Sequence, residues 1–265
     1  MSQIPGALTD CYASMQALCA DLSEDEWQAQ SLCPDWTVRD VVNHVTGIEA
    51  VMAGWLPDDD RTPPPFDKAA EFLREAGTEP GTSSPDNGQY LARVCAVYDR
   101  RRRDLATLAD TDLQRPSWTP VGPGTYGRFL AIRVFDFWVH ERDITTPLGR
   151  TTDDTGPAAE LALAEVANSL PYIVGKKVGL PDGTSITFNL TGPIARELSI
   201  AVDGRARKVD RPSNPDVTVT TDSTTFIQLA CGRIDPQVPI DSGAITWTGD
   251  GALGELAASN LRFTM

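Results

Sequence analysis

Arg133-Val134-Phe135-Asp136-Phe137-Trp138-Val139-His140-Glu141-Arg142-Asp143 is the stretch on which the reading of this chain turns. It lies in a run, 128–145, patterned as a helix. At about 3.6 residues per turn, Asp136, His140 and Asp143 share one face. The rest of the segment is heavily apolar, with Ile132, Phe135, Phe137, Trp138 and Val139. Polar groups on such a helix must be satisfied, because an unpaired buried one costs several kcal/mol. A divalent metal would do it; so would a plain Asp–His hydrogen bond.

A second histidine favours the metal. The chain has only two, His44 and His140, and His44 sits in another strongly patterned helix, Val38-Arg39-Asp40-Val41-Val42-Asn43-His44-Val45-Thr46-Gly47-Ile48. Two helices, each with a lone histidine, can meet across a bundle core and offer His44, His140 and Asp136 to one ion. Such a set suits zinc, and three protein ligands leave a coordination position open. The competing reading is two unrelated histidines, in the core or at the surface.

Outward from these helices, the pattern implies a bundle followed by a mixed domain. Helices are expected at 5–22, 37–55, 89–108 and 128–145, with Thr37 and Asp40 as a capping box before the second. The connection from Pro57 to Asn87 is long and rich in Pro, Gly, Asp, Thr and Ser, with a short helix expected at 66–75. Arg100, Arg101, Arg102 and Arg103 read as a solvated helix face rather than an anion site. Pro116, Pro120, Gly122, Pro123 and Gly124 read as chain breakers, and residues 145–156 as a linker. After a helix at 158–176 the period changes. Strands are expected at 185–190, 198–202, 216–220 and 244–248, with helices at 223–230, capped by Ser223, and 250–260. The fold class is therefore α plus α+β: a four-helix bundle over residues 1–150, then a small, mostly antiparallel α+β domain over residues 151–265, with the reaction site between them.

Composition narrows the partners. The chain has 265 residues, 41% hydrophobic and 23% charged, with a formal net charge of −14. That charge argues against nucleic acid and anionic membranes, which need a basic surface. The five cysteines form no C-x-x-C pair and fit reduced thiols in a cytoplasm. No signal peptide or membrane-spanning run is read. Phe137, Trp138 and Trp36 read as core residues.

With these residues laid out, the chain resembles the mycothiol-dependent maleylpyruvate isomerase family, within the DinB-like group of metal-binding four-helix bundles. The segments that carry the resemblance are Cys33-Pro34-Asp35-Trp36-Thr37 through Val45, and Arg133-x-x-Asp136-x-Trp138-Val139-His140-x-x-Asp143. The second half looks like the family's sterol-carrier-like C-terminal domain, through Asp216-Val217-Thr218-Val219, Cys231-Gly232-Arg233 and Gly243-x-Ile245-x-Trp247-x-Gly249-Asp250.

The resemblance implies zinc, or another divalent metal, on His44, Asp136 and His140, with mycothiol as cosubstrate. The family commonly has Glu where this chain has Asp136, which leaves Asp143 either a competing ligand or a group that fixes the His140 tautomer; the second is favoured. The pair Gly232-Arg233 can by itself be a helix C-cap with a solvated charge; the resemblance implies instead that Arg233 is catalytic, facing the metal and holding an anionic substrate. The implied activity is thiol transfer or isomerisation, with the thiol activated as a zinc thiolate for addition to a small electrophile. A metal-dependent hydrolase and a non-enzymatic small-molecule carrier are the alternatives. A cytoplasmic monomer or homodimer is expected.

Overall fold

In this computed structural model, residues 3–54, 87–210 and 212–264 are described. The helix expected at 66–75 lies outside them. The chain divides into two units, Met1–Thr152 and Asp153–Met265.

In the first unit, helix α1 (Ile4–Asp21) starts with Pro5 in its first turn, where a missing N–H costs nothing. It buries Leu8, Tyr12, Met15 and Cys19. A short helix α2 (Glu24–Trp27) is closed by a Ser23/Glu26 capping box. Helix α3 (Val38–Met52) begins with the Thr37/Asp40 box, both halves of which are formed. Helix α4 (Asn87–Ala106) follows, and then strands β1 (Pro116–Thr119) and β2 (Gly122–Thr125), paired antiparallel as a hairpin. The residues read only as breakers therefore make a ribbon. Gly122 supplies the positive φ of +111° that its turn requires. Helix α5 (Tyr126–Thr145) is capped by the Thr125 side chain, which accepts from the Arg128 N–H.

Helix α1 packs against α4 and α5, and α3 packs against the same two, which closes a four-helix bundle. Its centre is aromatic: Tyr12 stacks on Tyr98 at 4.9 Å, and Phe137 meets both edge-on.

The second unit opens with α6 (Gly156–Tyr172), which runs on as a π-helical turn, Ile173–Val178, and ends at Gly179 in the left-handed region. Strands β3 (Ser185–Thr191), β4 (Arg196–Asp203), β5 (Arg205–Val209), β6 (Val217–Asp222) and β7 (Thr246–Gly249) form one sheet in the order β5-β4-β3-β6-β7. All neighbours are antiparallel except β3 and β6. Helices α7 (Ser223–Ala230), α8 (Gln237–Ser242) and α9 (Gly251–Ser259) complete the unit, and Phe226 of α7 meets Phe188 of β3 at 5.2 Å. The cap of α7 is Asp222, one residue before the serine expected there: its carboxylate accepts from the Thr225 N–H. Strand β5 and helix α8 were not expected. The architecture is a helical bundle followed by an α+β unit. Among the described residues no helix is long and apolar enough to cross a membrane.

Candidate metal centre

Helices α3 and α5 bring His44, Asp136 and His140 together. His44 Nε2 lies 3.6 Å from Asp136 Oδ2, and His140 Nε2 lies 3.4 Å from Asp136 Oδ1. The imidazole centroids are 5.0 Å apart, and the three ligand atoms lie within 4.8 Å of one another. His44 and Asp136 are partly open to solvent, at 33% and 24% of their side-chain surface, whereas His140 is buried. The spacing on α5 produces half of this arrangement, since Asp136 and His140 are one turn apart.

The far side of His140 is held separately. Its Nδ1 lies 2.8 Å from Oδ2 of Asp143, which is fully buried. Asp136 therefore faces Nε2, beside His44, and Asp143 faces Nδ1. The Cys33 thiol donates to the same Asp143 oxygen at 3.2 Å, and the Leu32 N–H donates to the Asp143 carbonyl at 2.9 Å. These bonds dock the loop before α3 onto α5.

Asp136 is also held from inside the bundle. Arg133 donates from Nη1 to Asp136 Oδ2, from Nε to Glu49 Oε1 at 2.8 Å and from Nη2 to the Val45 carbonyl at 2.9 Å. Glu49 in turn accepts from Arg101 Nε at 2.8 Å and from the Tyr12 hydroxyl at 2.5 Å. Burial opposes the charge on Glu49, but Arg101 and Arg133 outweigh it and hold the carboxyl below the usual glutamate range. At Asp136 burial is likewise outweighed, by Arg133 and then His140, and its carboxyl sits well below the usual aspartate range. Against burial, Asp136 and then Asp143 push the His140 pKa well above the ordinary imidazole value.

Two sequence expectations are corrected here. Arg101 is not on a solvated face: it has no exposed surface and pairs with Glu49. The sequence does carry a signal for this, because Val94, Tyr98, Arg101 and Leu105 recur at helical spacing on the buried side of α4. Trp36 is not a core residue either. It is 36% exposed, and its ring centroid lies 5.2 Å from that of His44 and 6.3 Å from that of His140. Phe137 and Trp138 are buried as expected.

Arg233 lies in the second unit, just after α7. Its N–H donates to the Gln228 carbonyl at 2.9 Å, and its Nη1 donates to the Cys231 carbonyl at 3.0 Å. With Gly232, Ile234, Pro236, Leu261 and Arg262 it lines a cavity of about 370 Å³.

The donor set could hold a divalent ion. With zinc–nitrogen and zinc–oxygen bonds of about 2.0–2.1 Å, tetrahedral ligands stand about 3.4 Å apart. The separations of 3.4 and 3.6 Å match that spacing and exceed the roughly 2.9 Å of an ordinary N–H···O bond.

Comparison with known proteins agrees with this architecture. Residues 8–145 match the family described as mycothiol maleylpyruvate isomerase N-terminal domain, and residues 160–257 match the C-terminal domain of the same family. The crystal structure of the mycothiol-dependent maleylpyruvate isomerase, and that of a variant in which one histidine is alanine, each align at a TM-score of 0.59 and 15% identity. Each alignment covers 93% of this chain and 92% of the other, a likeness of fold. No curated protein matches the chain. Since the two family domains together take in both the bundle that carries the histidines and the sheet that follows it, the chain belongs to the mycothiol maleylpyruvate isomerase family.

Proposed function

We propose that this protein is a metal-dependent enzyme that uses mycothiol to isomerise, or to transfer sulfur to, a small electrophile. His44, Asp136 and His140 would hold the ion, most naturally zinc. The observation that carries the reading is the convergence of two imidazoles and one carboxylate, from two helices, at a point partly open to solvent. The chemistry such an ion supplies is deprotonation of a thiol near neutral pH.

The chain's own residues prepare that point. Asp143 fixes the Nδ1 side of His140, which leaves Nε2 for the site. Arg133 fixes one oxygen of Asp136 and leaves Oδ1 toward His140. Arg233 would hold an anionic group of the substrate, the role that its place in the family pattern suggests. In isomerisation the thiol sulfur adds to a cis double bond conjugated to a carbonyl, and the π electrons move toward the carbonyl oxygen. Rotation about the new single bond and loss of the sulfur restore the double bond as trans, with the thiol unchanged. An electrophile with a leaving group would instead keep the whole thiol: the C–S bond forms as the bond to the leaving group breaks, and that group departs with the electron pair. The cysteines, all free, accord with a reducing cytoplasm.

The test is metal analysis with turnover assays across electrophiles, with and without mycothiol. One divalent ion per chain is expected, lost in His44→Ala and in His140→Ala. Full metal retention in both variants would end the metal assignment. Equal turnover with and without the thiol would transfer the reading to a hydrolase.

A further inference from the structure

The loop between α2 and α3 spends many bonds to keep one large aromatic side chain in solvent. The Ser31 N–H donates to the Trp36 carbonyl at 3.0 Å, and the Trp36 N–H donates to the Cys33 carbonyl at 3.2 Å. The Gln30 side-chain amide donates to the carbonyls of Ser31, Cys33 and Trp36. Asp35 adopts φ +63°, a left-handed conformation costly for a residue with a side chain, which persists where surrounding contacts enforce it. Thr37 then locks into its capping box, and Cys33 anchors the loop on Asp143.

What this frame presents is Trp36, 36% exposed beside both site histidines. Of the other tryptophans described in this unit, Trp27 and Trp138 are 2% and 3% exposed and Trp118, in the β1–β2 hairpin, is 45% exposed. What sets Trp36 apart is its position: its ring centroid lies 5.2 Å from that of His44 and 6.3 Å from that of His140, and the loop frame holds it there.

We propose that the exposed indole of Trp36 is the docking surface for the ring portion of the thiol cosubstrate, a saturated, polyhydroxylated ring. This rests on the thiol-dependent reading above. A thiol whose sulfur reaches the two histidines must lay the rest of its body along whatever borders them, and Trp36 borders both. The π face of indole is negative, so it disfavours a carboxylate and favours the C–H face of a sugar or cyclitol. An anionic electrophile is thereby directed elsewhere, and the platform selects for the ring-bearing thiol over a bare cysteine derivative.

The experiment uses zinc-loaded full-length protein, Trp36→Ala and Trp36→Phe. Each is titrated with glucosaminylinositol, the ring portion of mycothiol without its cysteinyl arm, and followed by saturation-transfer NMR. Zinc content is measured in parallel. The wild type is expected to bind the fragment, Trp36→Ala to lose most of that binding, and Trp36→Phe to keep much of it, all with zinc retained. In turnover, the ratio of KM for mycothiol to KM for N-acetylcysteine should rise roughly tenfold in Trp36→Ala. Absence of fragment binding by the wild type overturns the proposal. So does equal binding by Trp36→Ala, or a rise in KM that is the same for both thiols. Failure of both thiols to support turnover in the wild type would instead overturn the thiol-dependent reading, and the fragment titration would still decide Trp36.

Discussion

Glu49 and Arg133 form an ion pair sealed inside the bundle, with Arg133 Nε 2.8 Å from Glu49 Oε1 and both side chains almost fully inaccessible. Arg101 pairs with the other Glu49 oxygen, so one carboxylate stands between two guanidiniums. Breaking such a cluster from one side leaves buried charge without compensation, which costs about 3–5 kcal/mol. Glu49→Gln should therefore destabilise the first unit by about that amount in chemical denaturation. Tyr12→Phe, which removes only one hydrogen bond to the same carboxylate, should cost about 1.5–3 kcal/mol.

The same carboxylate sets a pH dependence. The native pKa of Glu49 lies below the 4.5 of an unperturbed glutamate. A group whose pKa is depressed in the native state stabilises it fully above its unfolded value, and that contribution fades as pH falls toward the depressed value. The wild type should thus lose stability more steeply than Glu49→Gln as pH is lowered below about 4.5. Denaturation midpoints across that range measure the difference; parallel curves would refute it.

The helices that carry the site were legible because their signals are local. Thr37 and Asp40 close a box within one turn, and Asp136, His140 and Asp143 recur at helical spacing. Glu49 and Arg101 were not legible as a pair, since nothing in either helix names its partner across the bundle, and four consecutive arginines mask the one facing inward. Strand β5, Arg205-Ala206-Arg207-Lys208-Val209, was missed for a different reason. It is an edge strand, and its charged residues face water and obscure the alternation of a buried strand. Trp36 was misjudged because aromatic residues beside helix starts are usually core; its exposure depends on the loop frame around Asp35.

Gly249 and Gly254 allow β7 and α9 to approach their neighbours. A Cβ on Gly249, at φ +89°, would lie 2.3 Å from the Asp216 carbonyl oxygen, and one on Gly254 would lie 2.2 Å from the Trp247 ring. Gly249→Ala should destabilise the second unit by about 1–3 kcal/mol through backbone strain, with displacement of Asp216 in addition. Gly251→Ala meets nothing within 4 Å and should stay within about 0.5 kcal/mol of wild type. Thermal unfolding of the three proteins checks the order.

Cys11, Cys19 and Cys231 are poorly suited to be the nucleophile. Burial, reinforced by Glu141, pushes the Cys11 thiol up to about 12, and burial raises Cys19 further. Cys231 is buried at the end of α7. Cys11 and Cys19 stay protonated at neutral pH and do not attack, and a reagent in solution does not reach the buried Cys231. Cys11→Ser and Cys231→Ser should keep most of the thiol-dependent turnover, and loss of it in either variant would place the nucleophile on the chain.

Cys33 stands apart from these because its thiol donates to Asp143, the residue that holds His140 Nδ1. Cys33, Asp143 and His140 therefore form a tight cluster on the Nδ1 side of the proposed metal ligand, with the Cys33 sulfur 3.8 Å from His140 Nδ1. Groups that orient a ligating imidazole contribute about 10–100-fold in metal affinity. Asp143→Asn should weaken zinc binding by that factor, read by competition with a chelator. Cys33→Ser keeps a donor to Asp143 and should weaken zinc binding little, whereas Cys33→Ala removes it and should fall between Cys33→Ser and Asp143→Asn. If the alanine and serine variants bind zinc equally well, the thiol serves the docking of its loop and not the orientation of His140.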